Sequence, residues 1–255
     1  MQTQLLFRLR ACAVHASASL MAAAIAAALV FLLWFPWPYR VISGGTELFL
    51  IVMGVDVILG PLITFAIFDR RKARSELWRD MVVVVGVQIA ALGYGLHTVH
   101  QARPVVLALE VDRFRVSNEA AVQVDELSTA LPPYRHLSLR GPVTVNTEMP
   151  QGGDAKFNAI VMGMSGADLG TRPSLWRPWD DKARQAALKT AKPLKLLLKG
   201  SCPGAAEALC DAVARTGRPI DQLMVVPMLA RRTDWSVLLD KTSGEIVGFI
   251  PLDTF

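Results

Sequence analysis

Three long apolar runs fill most of the first 100 residues, and they limit what the chain can fold into more than any other feature. Residues 11–35 carry no formal charge over 25 positions, with His15 near the start. Residues 48–68 hold one acid, Asp56, in 21 positions. Residues 81–99 are interrupted chiefly by Gln88, with His97 near the end, in 19 positions. About 20 apolar residues at helical rise cross the hydrocarbon core of a bilayer, and core helices of soluble proteins are seldom apolar all round. Each run therefore predicts a transmembrane helix. The first shares features with a cleaved signal peptide, namely Arg8 and Arg10 ahead of it and the small residues Ala26, Ala27 and Ala28 within it. Those alanines, however, lead into Leu-Val-Phe-Leu-Leu-Trp-Phe, where a cleavage site turns polar, and the run exceeds the usual signal-peptide core. It reads as a retained signal anchor.

Charge then orients the spans. The chain is 52% hydrophobic and 19% charged, with mean hydropathy +0.35, net charge +5 and a pI near 9.3. A basic sum invites a nucleic-acid reading, but its location argues otherwise. Residues 1–103 hold 9 Lys/Arg against 5 Asp/Glu, whereas residues 104–255 hold 18 against 17. The basic excess sits among the apolar runs, as topology charge does. Five basic residues lie in the loop 69–79, between the second and third runs, while Arg40 and Glu47 lie in the first loop and Arg103 follows the third run. The positive-inside rule puts the N-terminus and the 69–79 loop in the cytoplasm and residues 104–255 outside, which in a Gram-negative cell is the periplasm. Trp34, Phe35, Trp37 and Tyr39 form an aromatic belt at the outer end of the first span.

The chain thus reads as a membrane domain, 1–103, followed by a periplasmic domain, 104–255, large enough for one modest fold. Residues 105–111 are β-branched-rich and 113–116 alternate, predicting a strand or hairpin. Residues 125–142, broken by Pro132, Pro133 and Gly141, read mainly as loop. Helices are predicted over 154–164, 181–192 and 203–215, the last stopped by Gly217. Strands are predicted over 223–229, 235–239 and 246–250, with Thr242-Ser-Gly-Glu turning the final hairpin. The fold class is a membrane protein of three transmembrane α-helices with a periplasmic α+β domain ending in an antiparallel sheet.

Catalytic chemistry is poorly supported. The stretch Leu194-Lys-Leu-Leu-Leu-Lys-Gly-Ser-Cys-Pro-Gly resembles a strand entering a nucleophile elbow, with Cys202 in the serine position. Such a hydrolase takes its histidine after the nucleophile, yet His15, His97, His100 and His136 all precede Cys202, and Pro203 removes an oxyanion-hole donor. No Walker loop, no Gly-x-Gly-x-x-Gly, no Cys-x-x-Cys and no metal-ligand spacing occurs, so no catalytic residue, cofactor, metal or small-molecule substrate is expected. Cys202 and Cys210 are a candidate disulfide, since both fall in the oxidising compartment. An unbroken helix from Pro203 would hold them about 12 Å apart, beyond bonding reach, whereas a loop over 200–204 folding back would join them.

Asp56 lies about 12 Å from the outer end of its span at helical rise, where a carboxyl is costly and normally partnered. Four residues on, Pro61 leaves the Val57 carbonyl without its helical donor. Gln88 is the nearest internal partner, about 4–5 Å deeper, and the first span at Asp56's depth is alanine, which supplies no donor. Asp56, Pro61 and Gln88 are therefore either a contact site for a partner helix or a packing feature of this chain's own helices.

Three stretches carry a family resemblance. They are Gly44-Gly-Thr-Glu-Leu-Phe-Leu-Ile-Val-Met-Gly-Val-Asp56-Val-Ile-Leu-Gly-Pro61-Leu-Ile-Thr64, then Gln101-Ala-Arg-Pro-Val with Glu110-Val-Asp-Arg-Phe114, and the terminal Asp234-Trp-Ser-Val-Leu-Leu-Asp-Lys-Thr-Ser-Gly-Glu-Ile-Val-Gly-Phe-Ile-Pro-Leu-Asp-Thr-Phe255. Over nearly the whole chain the sequence resembles the TfpX/TfpZ type IV pilin accessory proteins, with 120–220 the least similar part. The resemblance implies an inner-membrane, chaperone-like or assembly-modulating protein that binds type IV pilin during pilus biogenesis, with membrane lipid around its spans and no nucleic-acid partner. It implies no catalytic residues, and the Cys202/Cys210 pair is not part of it. The alternatives are a membrane enzyme using Cys202 and a sensor domain. The first lacks a base or metal set, and the second lacks a cytoplasmic output module.

Overall fold

The structure is a computed structural model that describes residues 2–69, 71–199, 203–231 and 235–255. The chain divides into two compact units, residues 1–40 with 44–102, and residues 41–43 with 103–255.

The first unit is built from helices α1 (Gln2–Leu29), which runs on through a π-helical turn at Val30–Trp34, α3 (Gly45–Ile67) and α4 (Arg74–Gln101), and it includes the first two residues of the short α2 (Tyr39–Ile42). Among the described residues three helical stretches are long and apolar enough to cross a membrane, Thr3–Trp34, Gly45–Ile67 and Arg74–Gln101. Their outward positions are apolar as well: Met21, Ile25, Ile51, Ile58, Val83 and Val87 are all more than half exposed. In water such surfaces would be a liability, whereas hydrocarbon is their natural solvent. Helix α1 starts well before residue 11, where the apolar run begins. Its basic first turns are held by hydrogen bonds and a ring contact: Arg8 Nε donates to the Phe68 carbonyl at 2.8 Å, Gln4 Nε2 donates to Asp69 Oδ1 at 2.9 Å, and the Phe7 and Phe68 rings lie 5.1 Å apart.

The second unit is organised on one eight-stranded mixed sheet. Its strands are β1 (Pro104–Glu110), β2 (Arg113–Asn118), β3 (Val143–Thr147), β4 (Trp176–Pro178), β5 (Lys192–Pro193), β6 (Leu223–Leu229), β7 (Trp235–Asp240) and β8 (Ile246–Ile250). Their order is β4-β3-β1-β2-β6-β7-β8, with β5 on β6. Three helices accompany them, α5 (Gly153–Met164), α6 (Asp181–Thr190) and α7 (Pro203–Thr216). The terminal strands β6, β7 and β8 are antiparallel as expected. They are not a separate sheet, because β6 also pairs parallel with β2, and β1 pairs parallel with β3. The reason lies in β1, which is buried along all seven residues. A strand covered on both faces and flanked on both edges is a sheet centre. The strand expected to lead into Cys202 is also corrected: after Lys192–Pro193 the chain turns into a 3-10 segment, Leu194–Lys199, whose Leu194 is fully buried. Helix α6 stops at Thr190, two residues before the predicted end, because Pro193 biases its predecessor to extended backbone and Lys192 pairs with Val225 of β6.

The sheet carries buried ion pairs. Arg115 Nε donates to the Glu110 carboxylate, 2.9 Å from each oxygen, and Arg115 also pairs with Asp168 at 2.8 Å. Glu110 accepts the Gly170 N–H at 2.7 Å, and the Trp176 indole donates to the Gly170 carbonyl at 3.2 Å. This network ties the β1–β2 hairpin to the 168–176 segment. In the last hairpin Asp240 accepts the N–H groups of Ser243 (2.7 Å) and Thr242 (2.9 Å) and pairs with Arg218. Gly244 completes that turn at φ +71, where a Cβ would press on the Arg184 backbone.

Candidate functional site

Helix α3 is the centre of the first unit. It runs antiparallel to α1, as three contacts in opposite order establish: Arg8 with Phe68, His15 with Thr64, and Phe31 with Phe49 at 5.0 Å between ring centroids. It runs antiparallel to α4 in the same way, with Gln88 against Gly60 and Gly95 against Val52. Glycine matters at both places: a Cβ on Gly95 would overlap the stiff Val52 side chain, and one on Gly60 would displace the end of Gln88. Small residues at such points let helices approach closely in a membrane.

Helices α1 and α4, by contrast, scarcely touch along their length. They converge at one end, where Trp34 and His100 meet edge to face at 4.9 Å and the buried side chains of Val30, Phe35, Phe49, Met53 and Val99 fill the space. Toward the start of α1 they splay apart, leaving a cleft of about 660 Å³ floored by α3. Its walls are mainly apolar, including Phe7, Val14, Val85 and Leu92, with a polar set of His15, Ser19, Asp56, Thr64 and Gln88 and with Arg10.

The structure brings Asp56 and Gln88 together. Gln88 Nε2 passes over Gly60 and donates to the main-chain oxygen of Asp56 at 3.2 Å. The glutamine's length spans the axial offset between the two residues. Pro61 is buried inside α3, which continues unbroken to Ile67, and it does not line the cleft. The sequence reading missed His15 and Thr64, whose Nδ1 and Oγ1 are 2.5 Å apart. The first span presents alanine to the cleft that Asp56 lines, but it also brings His15 into that cleft. The signal was available, since Thr64 and His15 are polar residues inside apolar runs, but their pairing depends on helix register. Just beyond the spans, the Arg71 N–H and the charge of Arg8 hold the Asp69 carboxyl below the ordinary carboxylate range.

Of the candidate disulfide, Cys210 is exposed on α7, and Cys202 lies outside the described residues. Among the described residues no group of three or more His, Cys, Asp or Glu is placed to hold a metal ion. The cleft lining offers hydrogen-bonding groups and apolar contact.

Comparison with known proteins gives a consistent picture. Residues 3–44 match the family described as fimbrial assembly protein FimB. The chain is 28% identical over 251 residues to the fimbrial assembly protein of Dichelobacter nodosus serogroup I, covering 98% of this chain and 97% of that one. It is 27% identical over 251 residues to the serogroup E1 protein, with the same coverage. A third relative, from serogroups C1 and C2 of the same organism, is 35% identical over 125 residues, which is 95% of its length and 49% of this chain. No solved structure matches.

Proposed function

This chain belongs to the fimbrial assembly protein FimB family, and from that premise we propose that it is an inner-membrane accessory protein of type IV pilus biogenesis that acts by binding pilin. The observation that carries the proposal is the similarity along 98% of the chain to D. nodosus proteins named for fimbrial assembly. The stretches 44–64 and 234–255 support placing it with the TfpX/TfpZ type IV pilin accessory proteins. The role is chaperone-like: the three helices hold the protein in the bilayer with the N-terminus in the cytoplasm, and residues 104–255 work in the periplasm.

Physical reasoning supports the same partner. A pilin subunit awaiting assembly has an apolar helix in the membrane and a globular head outside it. A helper with apolar helices and a folded domain beyond them can engage both parts. Asp56 and Gln88 supply the polar contact, and buried Pro61 belongs to the helix that presents it. No catalytic step, cofactor or metal enters this role.

The test is affinity purification of the tagged full-length protein from detergent-solubilised membranes of cells with and without pilin, scored beside surface piliation of a deletion strain. Retention of pilin with the tagged protein, and loss of surface pili on deletion, is the expected result. A deletion strain with normal pili, and a purified protein free of pilin, would sink the proposal.

A further inference from the structure

We propose that the cleft between α1 and α4 seats one transmembrane helix of a partner protein, which donates a hydrogen bond to the Asp56 carboxyl. The inference rests on the reading of this chain as a membrane-embedded pilin-binding protein and names the place where binding occurs.

Shape is the first argument. The three helices do not close into a bundle, because α3 packs on both neighbours while α1 and α4 diverge. On α1 the cleft runs from Phe7 to Ala22, about 22 Å at helical rise. That is most of the thickness of a hydrocarbon core. Along this wall Ala11, Ala18 and Ala22 leave the α1 backbone open to close approach by another helix. The void is thus elongated along the helix axes and takes most of the length of a membrane-spanning segment.

Donor accounting is the second argument, and it decides between occupants. An ionised carboxyl has about four acceptor sites, and a glutamine amide has two N–H donors. One Gln88 N–H is committed to the Asp56 main-chain oxygen, so at most one remains for the carboxyl. His15 stands in the same cleft with Nδ1 engaged by Thr64 Oγ1, so it offers at most its Nε2–H, and it and Gln88 together supply at most two donors. No Lys or Arg among the described residues pairs with Asp56. Acceptor capacity therefore remains on a side chain that lines an apolar cleft, where unmet polar groups are expensive. A lipid acyl chain would fill the volume but brings no donor. A helix carrying a hydroxyl, amide or amine at this depth supplies both apolar surface and the missing hydrogen bond.

A photo-crosslinking phenylalanine analogue placed in the full-length protein tests this in pilin-expressing cells. Positions Ala18 and Val85 face the cleft; Leu20 and Val83, more than half exposed and outside it, are controls. Pilin adducts from 18 and 85, absent from 20 and 83, are expected. Asp56→Leu should cut the Val85 adduct roughly three- to fifteenfold, the range spanned by single hydrogen bonds between membrane helices. Ala22→Trp, which fills the cleft, should abolish that adduct while the protein accumulates normally. Asp56→Asn checks that any loss is not misfolding, since it should accumulate as the parent does and keep an intermediate adduct yield.

The outcomes separate this inference from the wider reading. Pilin adducts confined to positions 20 and 83 would overturn the cleft site and leave pilin binding standing. Adducts from the cleft to a different single-span protein, sensitive to Asp56→Leu, would uphold the cleft and overturn the pilin assignment. Cleft adducts only to lipid, or only to a differently tagged second copy of this chain, would overturn the inference.

Discussion

Removing the Arg115 guanidinium should be among the most damaging single changes in the second unit. The Glu110 side chain is 7% exposed and that of Arg115 18%, so solvent screens the pair little. Arg115→Met deletes both donor contacts to Glu110 and leaves that carboxylate with the Gly170 N–H alone. Breaking a buried pair from one side costs about 3–5 kcal/mol. Glu110→Leu strands a different set: the Gly170 N–H loses its acceptor, at about 1–3 kcal/mol, while Arg115 keeps Asp168. In the double variant the uncompensated carboxylate is gone, and the orphaned Gly170 N–H is the main cost, again about 1–3 kcal/mol. The double variant is therefore expected to be more stable than Arg115→Met alone, with a coupling energy of about 3–5 kcal/mol by the cycle, the cost of the stranded carboxylate. The assay is urea unfolding of the full-length protein in detergent, followed by tryptophan fluorescence, because Trp176 hydrogen-bonds to Gly170 and reports on the junction. If Arg115→Met costs under about 1 kcal/mol and the two changes add within about 0.5 kcal/mol, the network does not anchor the β1–β2 hairpin.

Helix spacing gives a paired prediction: Gly95→Ala, which drives a methyl into the stiff Val52 side chain, should destabilise by about 1–3 kcal/mol. Gly60→Ala displaces only the end of flexible Gln88 and regains about 1 kcal/mol of helix propensity, so in detergent its melting temperature should fall less. Reporter fusions after Lys72 should be active as cytoplasmic and fusions at Phe255 as periplasmic; a cytoplasmic signal at Phe255 would overturn the proposed orientation. Asp240 is held below its ordinary pKa, first by the Ser243 N–H and then by the Ser243 hydroxyl, the Thr242 N–H and Arg218. Its stabilisation is therefore complete above the unfolded aspartate value of about 3.9 and is lost as pH falls through the lower folded value. Acid titration of Asp240→Asn should show a weaker loss of stability in that window, and an unchanged profile would count against the capped turn.

How far the sequence revealed this molecule depends on the range of the interactions involved. The helices of the first unit were legible because hydropathy is a local property, and β6, β7 and β8 were legible because short apolar runs bounded by turn residues are local too. Strands β3 and β4 were not, since Val143–Thr147 and Trp176–Pro178 are short and are held by partners far away in the chain. The parallel joins of β1 with β3 and β2 with β6 left no local trace either. The same division runs through the candidate site. Asp56 and Gln88 stood out as polar residues in apolar runs, and their meeting needs only that α3 and α4 be antiparallel neighbours. The His15–Thr64 contact depends on a register set elsewhere, by the Arg8–Phe68 hydrogen bond at one end and the Phe31–Phe49 ring contact at the other. The cleft itself follows from a contrast in side-chain volume. Large residues such as Phe35, Phe49, Met53 and Val99 bridge the helices where they converge, whereas α1 offers Ala11, Ala18 and Ala22 where they part. Alanine there cannot reach across to α4, so three apolar helices that would otherwise close on one another keep a gap with a carboxyl in its wall.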